Sequence, residues 1–265
     1  MEHESKRANT LLTCLSIIHK GNWESTFKAI KNKEPITDDD IQNALSKVNT
    51  DYITMLDTEG YPKYLSSLWR PPFVLFYEGD ISLIEDRDKN FVIYNSYNAS
   101  DYANKAVSSL TKEICKKANI VVPFLGKNSF SLCEELLEED AKIVAVIPKG
   151  IESVFSAREA ELLNRIKLHG LVISEVPLNE EETTNSRAMS FRLCSHFANN
   201  VLVGGVSKTD SLMVGIGFSF QTAKNVFCIP FPIGSKYVAN GLIHDGAILA
   251  EDGGSVLYDA GLKNH

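Results

Sequence analysis

The sequence has no C-x-x-C pair, and its five cysteines, Cys14, Cys115, Cys133, Cys194 and Cys228, are scattered. An odd, dispersed set excludes a disulfide framework and reads as reduced core thiols of a cytosolic protein. No apolar run approaches the roughly 20 residues that span a bilayer, and the polar start MEHESKR has no signal-peptide core. The expectation is a cytoplasmic chain with no membrane contact. Positive charge is short as well. The formal net charge of −7 excludes coating nucleic acid by bulk charge, while a local basic groove stays open because site potentials depend on where charges sit. The signatures of common enzymes are missing too. There is no G-x-G-x-x-G after the first strand, no G-x-x-x-x-G-K-[ST] and no G-x-S-x-G elbow, so dinucleotide, P-loop and esterase chemistry are not indicated. The six histidines, His3, His19, His169, His196, His244 and His265, have no metal-ligand spacing, so neither a metal nor a cofactor is expected.

What is present is an ordinary soluble composition, 44% hydrophobic and 23% charged over 265 residues, enough for a large domain with a smaller one ahead of it. Residues 1–60 read as a small helical domain. Leu11, Leu12, Leu15 and Ile18 share one face, Gly21 stops that helix, and Trp23, Phe27 and Ile30 continue at helical spacing. Pro35 breaks the pattern, and Thr37 caps the acidic turn Asp38-Asp39-Asp40 ahead of the stripe Ile41, Leu45, Val48. Residues 61–89 form a strap in which Pro62 and the pair Pro71-Pro72 exclude helix, Phe73 to Tyr77 is a strand, and Gly79-Asp80 is a turn.

From Asn90 to the end of the chain, strands alternate with helices. FVIYN, NIVVPF, KIVAVIP, LVISEV, VLVG and NVFCIP are the strands. Between them, Ser100 or Asp101 caps a helix whose buried face is Ala103, Ala106, Val107, Leu110, Ile114 and Ala118. Ser156 and Glu159 have capping-box spacing, and Gly170 stands where a left-handed C-terminal residue belongs. This rhythm predicts an α/β fold, a Rossmann-like parallel sheet with helices on both faces. In such a sheet the ligand lies beyond the carboxyl ends of the strands. That selects Asn95 to Asn98, Pro123 to Asn128, Pro148 to Gly150, Glu175 to Pro177 and Gly204 to Ser211. The last is the best anion site. Its glycines permit a tight turn, while Ser207, Lys208, Thr209 and Ser211 bring hydroxyls and an ammonium towards a helix start. Glu175 has no visible partner that would make it a base, and His196 reads as a partly buried polar residue sharing a helix face with Arg192.

The strap LSSLWRPPFVLFYEGD, the segments ISEVP and VFCIP, and the closing element NGLIHDGAIL resemble the bacterial DNA-processing protein A (DprA or Smf) family over nearly the whole chain. The resemblance implies a helical SAM-like domain over residues 1–60, the strap, and a Rossmann-like domain over 90–265. Because the sequence ends soon after Ser255-Val256-Leu257-Tyr258, the winged-helix appendage of many relatives is not expected. The implied function would be to bind single-stranded DNA, as a homodimer, and to help load the RecA recombinase during natural transformation, without catalysis. Site residues implied by position are Ser96, Lys127, Arg192 and Asn240, joined by Lys208 and Ser211 of the anion loop. Arginine and lysine would contact phosphates, and hydroxyls and amides would position the strand.

The groove motifs differ from the family pattern. Gly-Ser-Arg is replaced by Asn95-Ser96-Tyr97, Ser190-Phe191 stand for the first two residues of Arg-Asn-Arg, and Asp210-Ser211-Leu212, or the triplet one residue earlier, stand for Ser-Gly-Ser. The segment from Pro123 to Phe130 lacks the family's acid and two of its glycines. Fewer cations imply weaker, less salt-dependent DNA binding, with Tyr97, Phe124, Phe130 and Phe191 as candidate stacking surfaces. Two other readings remain. One is a member that keeps the fold and works only through protein partners. The other is a nucleotide-binding, phosphoribohydrolase-like protein suggested by Gly204-Gly205, although Val203 and Ser207-Lys208 depart from that loop and its catalytic glutamate has no counterpart.

Overall fold

The computed structural model describes residues 2–57, 60–222 and 224–262, with side chains from residue 6. The chain forms two compact units, Met1–Glu78 with Ile147–Phe155 and Ile173–Arg187, and Gly79–Val146 with Ser156–Val172 and Ala188–His265. The sequence reading drew boundaries at residues 60 and 89. Contacts draw the line after Glu78 and assign two later segments to the first unit.

The first unit contains α1 (Glu2–Ile18), α2 (Trp23–Lys31), α3 (Asp38–Leu45), β1 (Asp51–Thr54) and β2 (Val74–Gly79), the last residue of which passes to the second unit. Gly21 ends α1 at φ +68°, and Thr37 caps α3 in a complete capping box with Asp40. β1 was not anticipated. It pairs antiparallel with β2, Ile53 opposite Leu75, and both of these side chains are buried. The strap is held by its proline carbonyls, because proline has no amide to donate but accepts like any residue. The Trp23 indole donates to Pro71 O at 2.8 Å and the Tyr61 hydroxyl to Pro72 O at 2.8 Å. Trp23 also stacks on Phe73 with centroids 5.2 Å apart. Leu12, Val74 and Phe76 centre this unit's core.

The second unit holds β3 (Asn90–Tyr94), α4 (Asp101–Ile114), β4 (Asn119–Pro123), α5 (Gly126–Leu137), β5 (Ile143–Val146), α6 (Ala157–His169), the start of β6 (Leu171–Ser174), most of α7 (Thr184–His196), β7 (Asn200–Val203), α8 (Met213–Gln221), β8 (Asn225–Cys228), α9 (Ala239–His244), β9 (Ile248–Leu249) and α10 (Gly253–Asp259). All six expected strands are present, and β9 is added at the edge. Their order is β6-β5-β4-β3-β7-β8-β9, and β3 pairs in parallel with both β4 and β7. Unbroken burial along β3, β5 and β7 shows a sheet covered on both faces. α4, α5 and α6 pack side by side, as right-handed crossovers running one way from β3 require. Ser100 caps α4, and Ser156 with Glu159 forms the expected box on α6.

Gly170 is not left-handed, its φ being −134°. Glycine is needed there for room, since an added Cβ would lie 2.3 Å from Ile143 O. Among the described residues no helix is long and apolar enough to cross a membrane.

Candidate functional site

The chain leaves β3 towards β4 on one side, and β7 continues on the other, so the strand order reverses between β3 and β7. A crevice must open where the two exits part. A cleft of about 380 Å³ lies there, lined by Ser96, Tyr97 and Asn98 beyond β3, by Gly205, Ser207, Thr209, Asp210 and Ser211 beyond β7, and by Lys236 and Tyr237 beyond β8.

The two exits are tied together by a side-chain amide. Asn95 Oδ1 accepts the Gly205 N–H at 2.9 Å, and Asn95 Nδ2 donates to Asn104 Oδ1 on α4 at 2.8 Å. The glycine pair allows this approach. An added Cβ would stand 2.5 Å from Val107 Cγ2 at Gly204 and 2.8 Å from Ala103 Cβ at Gly205, and neither glycine has a positive φ. They supply room against α4, not the tight turn that the sequence suggested. On the far wall, Ser207 bridges to Tyr237, and the Tyr237 hydroxyl accepts the Ser100 N–H at 2.7 Å.

The lining is rich in unused donors. Ser96 is 5% exposed, and its Oγ accepts the Asn98 N–H at 3.2 Å. Its hydroxyl proton has no acceptor among the described residues. The hydroxyls of Ser207, Thr209 and Ser211 and the Lys236 ammonium likewise make no hydrogen bond within the described protein. Hydroxyls and one ammonium that make no hydrogen bond within the described residues, the ammonium lying 5.6 Å from the Tyr237 ring centroid, suit an anionic, oxygen-rich ligand. Asp210 is the single carboxylate, its Oδ1 accepting the Leu212 N–H at 2.9 Å. Tyr97 is 61% exposed and offers an open ring at the cleft.

The predicted residues distribute unevenly. Ser96 and Ser211 line the cleft, and Lys208 is exposed between two lining residues without being one itself. Lys127 is exposed in the first turn of α5, next to Gly126, which approaches Tyr97. Asn240 is committed to its own chain, because its amide accepts the Phe231 N–H at 2.9 Å and donates to Phe231 O at 2.7 Å. Arg192 does not line the cleft: it has 0% exposure in the second half of α7, where every residue from Ser190 to His196 is buried. The loops Pro148 to Gly150 and Glu175 to Pro177 belong to the first unit. Among the aromatics, Phe124 and Phe191 are core residues, and Phe130 packs on Phe124 with centroids 4.6 Å apart.

Sequence reasoning missed Lys236 and Tyr237. The strand-end rule was applied to five strands, and extending it past NVFCIP to the next loop would have found both.

Away from the cleft, His196 is 3% exposed, and its Nδ1 lies 2.5 Å from Arg192 O. Burial, together with the positive charges of Arg192, Lys224 and Arg87, pulls its pKa down to about 4. Lys224 donates to Ala198 O, and burial lowers it to about 8. Burial pushes the Cys133 and Cys228 thiols up to about 12, so they are not nucleophiles. Among the described residues no group of three histidines, cysteines or acids could hold a metal, and His265 and the His3 side chain lie outside those residues.

Comparison with known proteins gives one consistent result. The family model for DNA recombination-mediator protein A matches residues 52–261. The DNA processing protein DprA of Bacillus subtilis (strain 168) is 26% identical over 196 residues, covering 72% of this chain and 65% of that protein. The chain therefore spans less than two thirds of that relative's length. The X-ray structure of DNA processing protein A from Streptococcus pneumoniae is similar with a TM-score of 0.74 at 22% identity, over 91% of this chain and 81% of that one. The protein of the same name from Helicobacter pylori, whose structure is described for its single-stranded DNA binding mode, gives 0.70 at 19% identity, over 83% and 100%. At these identities the structures show a shared fold.

Proposed function

The chain belongs to the DNA recombination-mediator protein A family, and on that premise we propose that it binds single-stranded DNA in the cleft between the β3 and β7 exits. It acts there as a mediator that delivers the strand to a RecA recombinase during DNA uptake, as a homodimer, in the cytoplasm. The observation that carries this reading is the family match over residues 52–261. The cleft adds a place with suitable chemistry. Phosphate oxygens would accept from Ser96, Ser207, Thr209, Ser211 and Lys236, with Lys208 and Lys127 as outlying cations, and a base would stack on Tyr97. None of these roles needs a nucleophile or a general base, so the proposal is of binding without catalysis. Arg192 and Asn240 have no part in it.

The test is fluorescence anisotropy of labelled oligo-dT at about 50 mM salt, where phosphate contacts are strong. A saturable rise that Lys236→Glu weakens is expected. No binding by the wild-type protein would overturn the DNA reading and favour a member that works through protein partners alone.

A further inference from the structure

Within the cleft one group opposes all the others. Four hydroxyls and an ammonium offer protons without internal acceptors, and Asp210 places a carboxylate among them. No ion pair among the described residues involves Asp210 or Lys236, so both charges act on whatever enters. With one of each sign, the lining has no formal charge. A monoanionic phosphodiester meets the repulsion of Asp210 once and a dianionic phosphate monoester meets it twice, which offsets the doubled attraction to Lys236 that would otherwise favour the monoester. One Asp210 oxygen is engaged by the Leu212 N–H, which fixes the carboxylate at the mouth of the loop.

Resting on the reading that this cleft binds DNA, we infer that Asp210 is the specificity-determining residue that holds its affinity for phosphate down and offsets its preference for terminal phosphate groups. The cleft then takes a strand by its interior and releases it readily, with hydroxyls in place of cations as the main phosphate contacts. Asp210 would do this through charge alone. Its hydrogen bond needs only an oxygen acceptor, which asparagine or serine can supply.

The experiment uses Asp210→Asn and Asp210→Ser beside the full wild-type chain, with two probes. The first is inorganic phosphate, read as the rise in melting temperature. The second is oligo-dT with and without a 5′-phosphate, read by anisotropy. Removing one unit charge a few ångströms from the ligand should tighten oligo-dT binding on the order of tenfold. It should also shift relative affinity towards the strand that carries a 5′-phosphate, because Lys236 is then unopposed, and phosphate should stabilise the variants more than the wild type. Equal phosphate responses in all three proteins, with unchanged oligo-dT affinity, overturn the role of Asp210 and leave the DNA reading standing. The opposite pattern, phosphate stabilising only the variants while no protein binds oligo-dT, removes the DNA reading and keeps the assignment to Asp210. The two variants differ in side-chain volume, so a shared result reports the lost charge and not a local repacking.

Discussion

Replacing His196 by glutamine should remove a specific pH dependence from stability. In the folded chain the ring is buried among positive charges and titrates at about 4. In the unfolded chain it titrates near its ordinary value of about 6.5. As pH falls between those values, the unfolded state takes up a proton that the native state refuses, so stability is full above about pH 6.5 and is lost as pH drops towards 4. Integrating that difference from pH 7 to pH 5 gives a loss of about 2 kcal/mol attributable to this ring. Glutamine can still donate towards Arg192 O but does not titrate. Urea unfolding followed by circular dichroism at pH 7, 6 and 5, run on both proteins, isolates the effect, because carboxylates common to the two cancel in the difference. The wild type should be the more stable at pH 7 and should lose its advantage by about pH 5. Parallel profiles for the two proteins would refute a native His196 held neutral by burial, and with it the inward orientation of the second half of α7.

Three further expectations concern the cleft and its surroundings. Tyr97→Ala should weaken oligo-dT binding by roughly tenfold, the worth of one base stacked on an aromatic ring. Its melting temperature should stay unchanged because the ring is 61% exposed. The slope of log affinity against log salt should be shallow, about −2 or less in magnitude, if Lys236 in the lining and the exposed Lys208 and Lys127 supply the phosphate contacts; titration from 50 to 300 mM salt measures it, and a slope near −5 would mean that other cations take part. Arg192→Glu should destabilise the protein by about 3 kcal/mol or more, because it puts a carboxylate where a fully buried cation was. A variant with wild-type melting behaviour and no DNA binding would instead return Arg192 to the interface.

Much of the scaffold was legible because its signals are local. The Ser156 and Glu159 box, the Thr37 cap and the unbroken apolar run Ile143 to Val146 each carry their physics within a few residues. What was illegible depends on partners far along the chain. β1 is four residues, and only its pairing with β2 makes it a strand. Gly170 is glycine because of Ile143 O, a contact that no turn pattern encodes. Arg192 is the sharpest case. Its place in the family motif put it at the ligand, but whether a helical residue points into a groove or into the core depends on the helix's rotation. The hydrophobic signal that would fix this rotation is blurred in α7, where Ser190, Arg192, Ser195 and His196 are all buried beside Phe191 and Leu193.

The cleft also separates two things that a motif combines, the shape of a site and its charge. Losing the glycine and arginine of a Gly-Ser-Arg turn reads as loss of the site. Here Asn95 stands where the family pattern has glycine, and its amide receives Gly205 N–H and donates to Asn104, joining the β3 and β7 exits. The cleft therefore lies at the position that topology dictates, and its lining is hydroxyls, one ammonium and one carboxylate. Hydroxyls contact phosphate without releasing counterions. A site lined this way should hold DNA by geometry more than by charge, so added salt should weaken it little, whereas forcing the β7 exit away from α4 at Gly205 should abolish it. Gly205→Val, which drives side-chain atoms towards Ala99, Ala103 and Tyr237, should therefore lower affinity more than Lys236→Ala does. Oligo-dT anisotropy on the two variants, alongside their melting temperatures, decides it: a larger loss with Lys236→Ala in equally stable proteins would show that charge still dominates.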